Sequence, residues 1–288
     1  MNCNICPRAC STERKNKIGF CGQTEKIKIS KVMFHHYEEP IISGNEKTKG
    51  SGAIFFTGCN LRCCFCQNYP ISHQNRGKII SIKKLVAIIK KLEKKGALNI
   101  NLVTPSHFSM QIIEALKAYK PKIPIVWNSN GYETVETIKK LKDLVDVYLV
   151  DLKYMDNELS SKYSKANNYV ENATNVIKQM KQNQPKDVIE NGLMKKGLII
   201  RHLILPTHTA DSINCLDFIH DEIGEDSIVS LMSQYEPRYN AKEYVEINRK
   251  ITPLEYKRVV NHALKLNMTN CFTQDLSSAD SKYTPKFK

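Results

Sequence analysis

The sequence predicts an α/β chain: a partial (β/α)6 barrel of the TIM type with a cysteine-rich N-terminal extension. Three observations lead there. From Ala53 onward short apolar runs alternate with amphipathic stretches, the apolar runs number six, and all cysteines except Cys215 and Cys271 fall in the first quarter of the chain. Such alternation is the pattern of parallel β/α units, each strand covered by the helix that follows it. A chain of 288 residues is long enough to bury one large core of this kind. Six units stop two short of a closed eight-fold ring.

The predicted strands are AIFFT (53–57), LNINLV (98–103), IPIVW (123–127), VDVYLV (145–150), LIIRHLIL (198–205) and IVSLM (228–232). Between the first two, Ile82, Leu85, Val86, Ile89 and Leu92 recur at helical spacing, with Ser81 placed to cap the start and Gly96 to end the helix. The same period runs through Val135, Ile138 and Leu141, then through Val170, Ala173, Val176, Ile177 and Met180. Residues 182–196, with Pro185 and Gly192 and little period, are expected to form a loop before the fifth strand. Thr252-Pro253-Leu254-Glu255 carries a capping box with proline at the first helical position, opening a helix that runs to about Leu266. These features divide the chain into an extension (1–50), the barrel core (51–270) and a C-terminal tail (271–288) that frays from Ser277.

Ten cysteines in a chain of this size do not suggest a disulfide scaffold, which belongs to smaller secreted domains. Metal binding in a reducing cytoplasm is the expectation. No apolar signal-peptide core opens the chain, and no run approaches the roughly 18 apolar residues of a membrane span. The formal net charge of +14 suits a nucleic-acid or acidic protein partner, but many lysines fall on the solvent faces of helices, as in SIKKLVAIIKKLEKKG. No aromatic-interleaved basic stripe accompanies them. Nucleic acid is therefore neither indicated nor excluded.

The chemistry concentrates at Cys59, Cys63 and Cys66, spaced C-x3-C-x2-C on the loop after the first predicted strand. Three thiolates can hold three corners of a four-iron cluster and leave the fourth iron free for a ligand. Zinc prefers four ligands, commonly as paired hooks, and fits an isolated triplet less well. Barrels of this type carry their chemistry on loops at the C-terminal strand ends, which is where these cysteines lie. Cys64 falls outside the spacing and is expected to be a packing thiol. Cys3, Cys6, Cys10 and Cys21 form a second group, C-x2-C-x3-C-x10-C. Four ligands so spaced suit a structural zinc site or an auxiliary cluster, zinc being the simpler, and an unmetallated group remains open.

The three-cysteine loop, with aromatic Phe65 before its last cysteine, resembles the cluster loop of the radical S-adenosylmethionine (SAM) enzymes. CNICPRAC, EEPIISG, GSGAIFFTGCNLRCCFCQNYPIS, NINLVTPSH, WNSNGYE, DLKYMD, IIRHLILP and SLMSQY extend that resemblance over nearly the whole chain. Together they are similar to the pyruvate formate-lyase activating enzyme-like group within that superfamily. The resemblance implies a [4Fe-4S] cluster on Cys59, Cys63 and Cys66, with SAM on the open iron through its amino and carboxylate groups. It implies one-electron cleavage of SAM to methionine and a 5′-deoxyadenosyl radical that abstracts hydrogen. It also implies a low-potential electron donor such as flavodoxin or ferredoxin.

Cofactor-binding positions follow by the same resemblance. Phe65 belongs to the cluster loop. The superfamily's Gly-Gly-Glu segment after the second strand is replaced by Thr104-Pro105-Ser106-His107, so the hydroxyls of Thr104 and Ser106 and nearby carbonyls take the place of an acidic partner. Asn128-Ser129-Asn130-Gly131 resembles the activases' Asp-Thr-Asn-Gly, and Asp151-Leu152-Lys153 matches their Asp-Leu-Lys. Residues two apart on an extended segment face the same way, so Asp151 and Lys153 can share the barrel mouth; a surface ion pair is the alternative. Arg201 and His202 must face opposite sides of the fifth strand. Comparison with the family favours His202 as the inward group, with a satisfied structural histidine as the other reading.

The substrate is the least legible part. A glycine Cα–H in a partner glycyl-radical enzyme is the first expectation, and modification of a peptide, tRNA or small metabolite the alternative. An iron–sulfur electron carrier is the non-enzymatic rival; an open iron site and the Asp151/Lys153 pair count against it, since a carrier needs neither.

Overall fold

The protein, seen as a computed structural model, is described over residues 3–278 together with Pro285 and Phe287. Its ordered elements begin with β1 (Lys28–His35), α1 (Pro40–Ser43), β2 (Ser51–Phe56), α2 (Tyr69–Ser72), β3 (Lys78–Ile79), α3 (Ile82–Lys94) and β4 (Ile100–Val103). Next come α4 (Ser109–Ala118), β5 (Ile125–Ser129), α5 (Val135–Lys140), β6 (Val147–Asp151), α6 (Asn157–Ser164) and α7 (Tyr169–Asn183). The chain continues through β7 (Val188–Glu190), β8 (Leu193–Leu203), α8 (Thr209–Glu222), β9 (Ile228–Met232), α9 (Pro253–Lys265) and β10 (Cys271–Thr273).

The six expected strands are β2, β4, β5, β6, β8 and β9, which lie side by side in that order and pair in parallel throughout. Among the described residues the sheet does not close. β1 runs antiparallel on the outer edge of β2 and carries β3, while β10 adds a parallel strand to β9. A mixed α/β sheet of this form is the partial barrel that the alternation predicted.

Three local expectations meet the structure at named residues. Ser81 Oγ accepts the Lys84 amide at 3.1 Å, capping α3. Thr252 and Glu255 exchange both bonds of the capping box at the start of α9. Residues 182–196, by contrast, are not a loop throughout: β7 and the start of β8 pair as an antiparallel hairpin. The turn is Asn191-Gly192 with φ of +52° and +75°, the two positive values a tight two-residue hairpin turn requires. That dipeptide outweighs the missing hydrophobic period, because β7 is exposed and has no core face to show one.

The tail and the extension both contribute to the sheet. Residues 28–35 of the extension form β1, and residues 271–273 of the tail form β10. Most of the tail expected to fray lies outside the described residues.

Strand parity sets up two cores. Ile54, Leu102, Trp127, Tyr148 and Ile200 point outward into the large core shared with the helices. Val126, Val147, Leu149, Ile199 and Ile228 point inward and are plugged by Ile42 of α1. Above this plug the inward positions turn polar: Asn128, Asp151, Arg201 and Ser230 continue the same faces.

Candidate functional site

The cysteine loop leaves β2 at Gly58, whose φ is +90°. A Cβ here would come within 2.5 Å of the Cys21 carbonyl oxygen and 2.6 Å of Gln23 Cγ, so only glycine lets the loop pass the N-terminal segment. Leu61 and Phe65 are buried in the outer core, with Phe65 edge-on to Tyr235 at 5.6 Å. These anchors leave Cys59, Cys63 and Cys66 on the wall of the pocket at the C-terminal ends of the strands. Cys64 is buried away from that wall among the core side chains, as a packing thiol would be.

Each of the three thiols has polar company. Cys59 Sγ accepts the Leu61 amide at 3.4 Å and Asn130 Nδ2 at 3.3 Å, Cys63 Sγ accepts Ser164 Oγ at 3.0 Å, and Cys66 Sγ lies 3.2 Å from Ser72 Oγ. Burial nevertheless pushes Cys59 up to about 12 and Cys66 up to about 11, reinforced in each case by neighbouring thiols. Thiolates so placed need local positive charge, which bound metal supplies. Among the described residues no three His, Cys, Asp or Glu side chains gather for one metal ion. A four-iron cluster instead takes its cysteines at separate irons. Three thiols, Cys63 buried and Cys59 and Cys66 half-buried, with hydrogen-bonding side chains along one pocket wall, fit such a cluster.

The pocket floor is a chain of charges. Lys153 Nζ meets Asp151 Oδ2 at 2.8 Å, and Arg201 Nε donates to Asp151 Oδ1 at 2.8 Å. Arg201 Nη1 donates to Glu38 Oε2 at 2.9 Å and Nη2 to Asn128 Oδ1 at 2.7 Å. Glu38 Oε1 also accepts Asn101 Nδ2 and Asn128 Nδ2 at 3.0 and 3.1 Å. Burial by itself would raise Asp151 and lower Lys153. The attraction of Arg201 and Lys153 outweighs it, holding the Asp151 carboxyl below its ordinary range, while Asp151 holds the Lys153 amine above its own. Lys153 and Asp151 side chains are 17% and 16% exposed, so this is not a surface ion pair. Beside the chain, burial raises Glu39, favouring its neutral form.

The structure sorts the expected cofactor residues. Phe65, Thr104, Asn128, Asp151 and Lys153 line the pocket with the three cysteines. Thr104 turns the chain off β4 at a φ of +57°. Ser106 is buried in the short 3-10 turn that follows and does not line the pocket. His202 is a correction. It points into the helical layer, where Nδ1 bonds the Leu152 carbonyl at 2.8 Å and Nε2 bonds Ser212 Oγ at 2.9 Å. Burial pushes it down to about 4, so it is a neutral, satisfied structural histidine. Arg201 takes the inward position because it pairs directly opposite Asp151, and opposed residues on neighbouring strands share a face.

Glu38 was not among the expected site residues. It arrives from the β1–α1 connection, 163 positions from the arginine it binds. Its signal was present in EEPIISG, a polar pair opening a short apolar turn, but nothing local shows which barrel it enters. Asn130 was read only as part of a motif. Gly131 holds its turn with φ of +75°, and a Cβ there would lie 2.8 Å from the Asp151 carbonyl oxygen.

The N-terminal cysteines pack behind the cluster loop. Arg8 Nε donates to the Asn60 carbonyl at 2.8 Å, Arg62 Nη2 to that of Phe20 at 2.7 Å, and Arg14 Nη1 to that of His107 at 2.7 Å. Cys6 is pushed up to about 11, first by burial and then by the neighbouring thiols of Cys21 and Cys3. The four thiols are close enough to interact, but a closed tetrahedral zinc site is not formed among the described residues.

A three-thiol pocket wall facing a fixed lysine and carboxylate, at the strand ends of a partial barrel, can be compared with known proteins. Residues 53–217 match the family model of the Radical SAM superfamily. The chain belongs to that superfamily. It is 35% identical over 283 residues to the uncharacterized protein MJ0674 of Methanocaldococcus jannaschii, covering 93% of this chain and 75% of the relative. Among solved structures it is similar in fold to Streptococcus suis SuiB bound to S-adenosylmethionine, with a TM-score of 0.54, 15% identity, and coverage of 75% of this chain and 47% of SuiB. SuiB bound to its precursor peptide SuiA gives a TM-score of 0.53 at 16% identity, covering 75% of this chain and 46% of SuiB. Methylornithine synthase (PylB) gives 0.51 at 14% identity, covering 75% of this chain and 68% of that enzyme. The chain spans about half the length of SuiB. Among the described residues of this radical SAM protein, no helix is long and apolar enough to cross a membrane.

Proposed function

We propose that the chain is a radical SAM enzyme in which Cys59, Cys63 and Cys66 hold a [4Fe-4S] cluster and the facing wall binds SAM. The observation that carries this reading is the junction of three pocket-lining thiols and the Lys153–Asp151 pair in one pocket. When both groups are bound, the cluster supplies one electron to the sulfonium and the cofactor supplies the species that takes a hydrogen atom from the substrate.

The chain's own residues bind and orient. Lys153 is held cationic by Asp151 and offers its remaining N–H groups to a carboxylate. Asp151, fixed between Lys153 and Arg201, keeps that amine aimed along the pocket and can accept from a hydroxyl. Thr104, at the strand end, offers a hydroxyl where related enzymes use an acidic group. Phe65, packed on Tyr235, supplies apolar surface that keeps water from the loop.

The hydrogen donor in this reading is a polypeptide: a glycine Cα–H of a partner glycyl-radical enzyme, with peptide modification as the alternative. Support comes from the same fold in SuiB bound to a precursor peptide. A low-potential donor such as flavodoxin or ferredoxin provides the electron. Cys3, Cys6, Cys10 and Cys21, which interact without forming a closed site as they stand, would have to draw together to take up a structural zinc ion; an auxiliary cluster is the competing occupant.

Anaerobic reconstitution tests the central reading. Dithionite-reduced protein given SAM should release 5′-deoxyadenosine, slowly alone and faster with the true substrate. SAM left intact beside a verified reduced cluster would support the electron-carrier reading instead.

A further inference from the structure

Each of Cys59, Cys63 and Cys66 meets a side-chain hydrogen-bonding group from outside the C-x3-C-x2-C segment. Asn130, after β5, donates to Cys59 Sγ at 3.3 Å; Ser164, at the end of α6, donates to Cys63 Sγ at 3.0 Å; Ser72, at the end of α2, lies 3.2 Å from Cys66 Sγ. The two serines have a second partner each. His73 Nδ1 is 2.8 Å from Ser72 Oγ, and Tyr154 Oη is 2.8 Å from Ser164 Oγ.

A hydroxyl has one proton to give. When Cys66 and Cys63 ligate metal they are thiolates and have none, so each serine proton must turn toward sulfur. His73 and Tyr154 must then donate to the serine oxygens, which fixes His73 as the tautomer protonated on Nδ1. The packing holds both pairs in place. Ser164 and Tyr154 are both fully buried, away from bulk solvent. The His73 ring is stacked on Tyr69 at 4.4 Å and 9°, and Tyr69 is stacked on Tyr239 at 4.2 Å and 13°.

We propose that Ser72, Ser164 and Asn130 are positioning residues that raise the reduction potential of the cluster on Cys59, Cys63 and Cys66, with His73 and Tyr154 holding the serine protons on sulfur. Hydrogen bonds to the ligand sulfurs favour the reduced, more negative cluster, so their number is one of the levers on its potential. The inference rests on the cluster assignment above, and it assigns these side chains a role that cysteine spacing does not reveal.

The test is a redox titration of anaerobically reconstituted protein, followed by the electron paramagnetic resonance signal of the reduced cluster, with iron content measured in parallel. Ser72→Ala and Ser164→Ala should each titrate at a more negative potential than the parent at equal iron content. Ser72→Thr, which keeps the hydroxyl, should return to the parent value. Tyr154→Phe should move the same way as Ser164→Ala but less, because the Ser164 hydroxyl remains and loses only its constraint. Parent-like potentials in both alanine variants overturn the proposal. Should Ser164→Ala fail to fold, the Ser72 alanine and threonine pair decides alone. Failure of the parent to take up four irons is a different result: it removes the cluster assignment, and this inference with it.

Discussion

The Cys59 amide donates to the Cys21 carbonyl at 3.3 Å, so the first residue of the cluster triplet and the last of the N-terminal cysteine group share a backbone hydrogen bond. Loss of order in the extension should therefore reach the cluster loop. We expect Cys6→Ser to lose zinc, to melt at lower temperature, and to incorporate less iron at the adjoining triplet. Metal analysis with thermal melts checks this. Iron in place of zinc in the parent would identify an auxiliary cluster, and parent-like metal content and melting in Cys6→Ser would dismiss a bound metal.

Alanine at Cys59, Cys63 or Cys66 should abolish the four-iron absorption after reconstitution, whereas Cys64→Ala should keep it and lose only packing. Because Cys64 is buried in the core, its removal is expected to cost on the order of 1 kcal/mol of stability. A Cys64 variant without cluster beside a Cys63 variant that retains it would mean that the ligands are misassigned.

Asp151→Asn and Lys153→Met should weaken SAM binding while leaving the cluster intact. Charge-assisted hydrogen bonds are worth roughly 1.5–3 kcal/mol, so each change should raise Kd by about tenfold or more. Calorimetry on reconstituted variants measures this, with 5′-deoxyadenosine release as the second readout. Unchanged affinity and cleavage in both would place the pair outside the cofactor's contacts.

Arg201 bonds two carboxylates whose side chains are 9% and 16% exposed, so Arg201→Met removes the cation shared by Glu38 and Asp151. Breaking such an arrangement from one side is expected to cost about 3–5 kcal/mol in urea unfolding at neutral pH. Adding Glu38→Gln should restore part of the loss. Strict additivity of the two changes would show that the pair is not coupled.

Asp211 supplies a pH dependence from outside the pocket. It is raised from 3.8 to about 7, first by burial, while its Oδ1 accepts the Met155 amide at 2.9 Å. The folded state thus keeps a proton that the unfolded chain releases near pH 4. Stability from this group is fully present below about pH 4, declines as pH rises, and levels off above about pH 7, a change of up to about 4 kcal/mol. Asp211→Asn keeps the acceptor and removes the charge. Its unfolding free energy between pH 4 and 7 should be flatter than the parent's; an identical slope would assign the dependence to other groups.

The sequence by itself determined the six parallel strands, the helix caps at Ser81 and Thr252, and the placing of three cysteines at a strand end. These are local properties: apolar runs, capping side chains and motif spacing act over a few residues. The Asn191-Gly192 hairpin was equally local and legible, but its exposed strand gave no hydrophobic alternation to draw notice. Tertiary structure alone decided that Arg201 and not His202 faces the pocket. Both neighbours sit in an apolar run whose two faces are buried, so composition leaves the parity undecided until pairing with β6 sets it. It alone brought Glu38 across from the β1–α1 connection, and Ser164 and Asn130 to two of the three sulfurs, whereas Ser72 meets Cys66 from six residues away. A hydrogen bond of about 3 Å between residues 71 or 101 positions apart depends on the register of the sheet and the packing of its helices, and neither is written in any single segment.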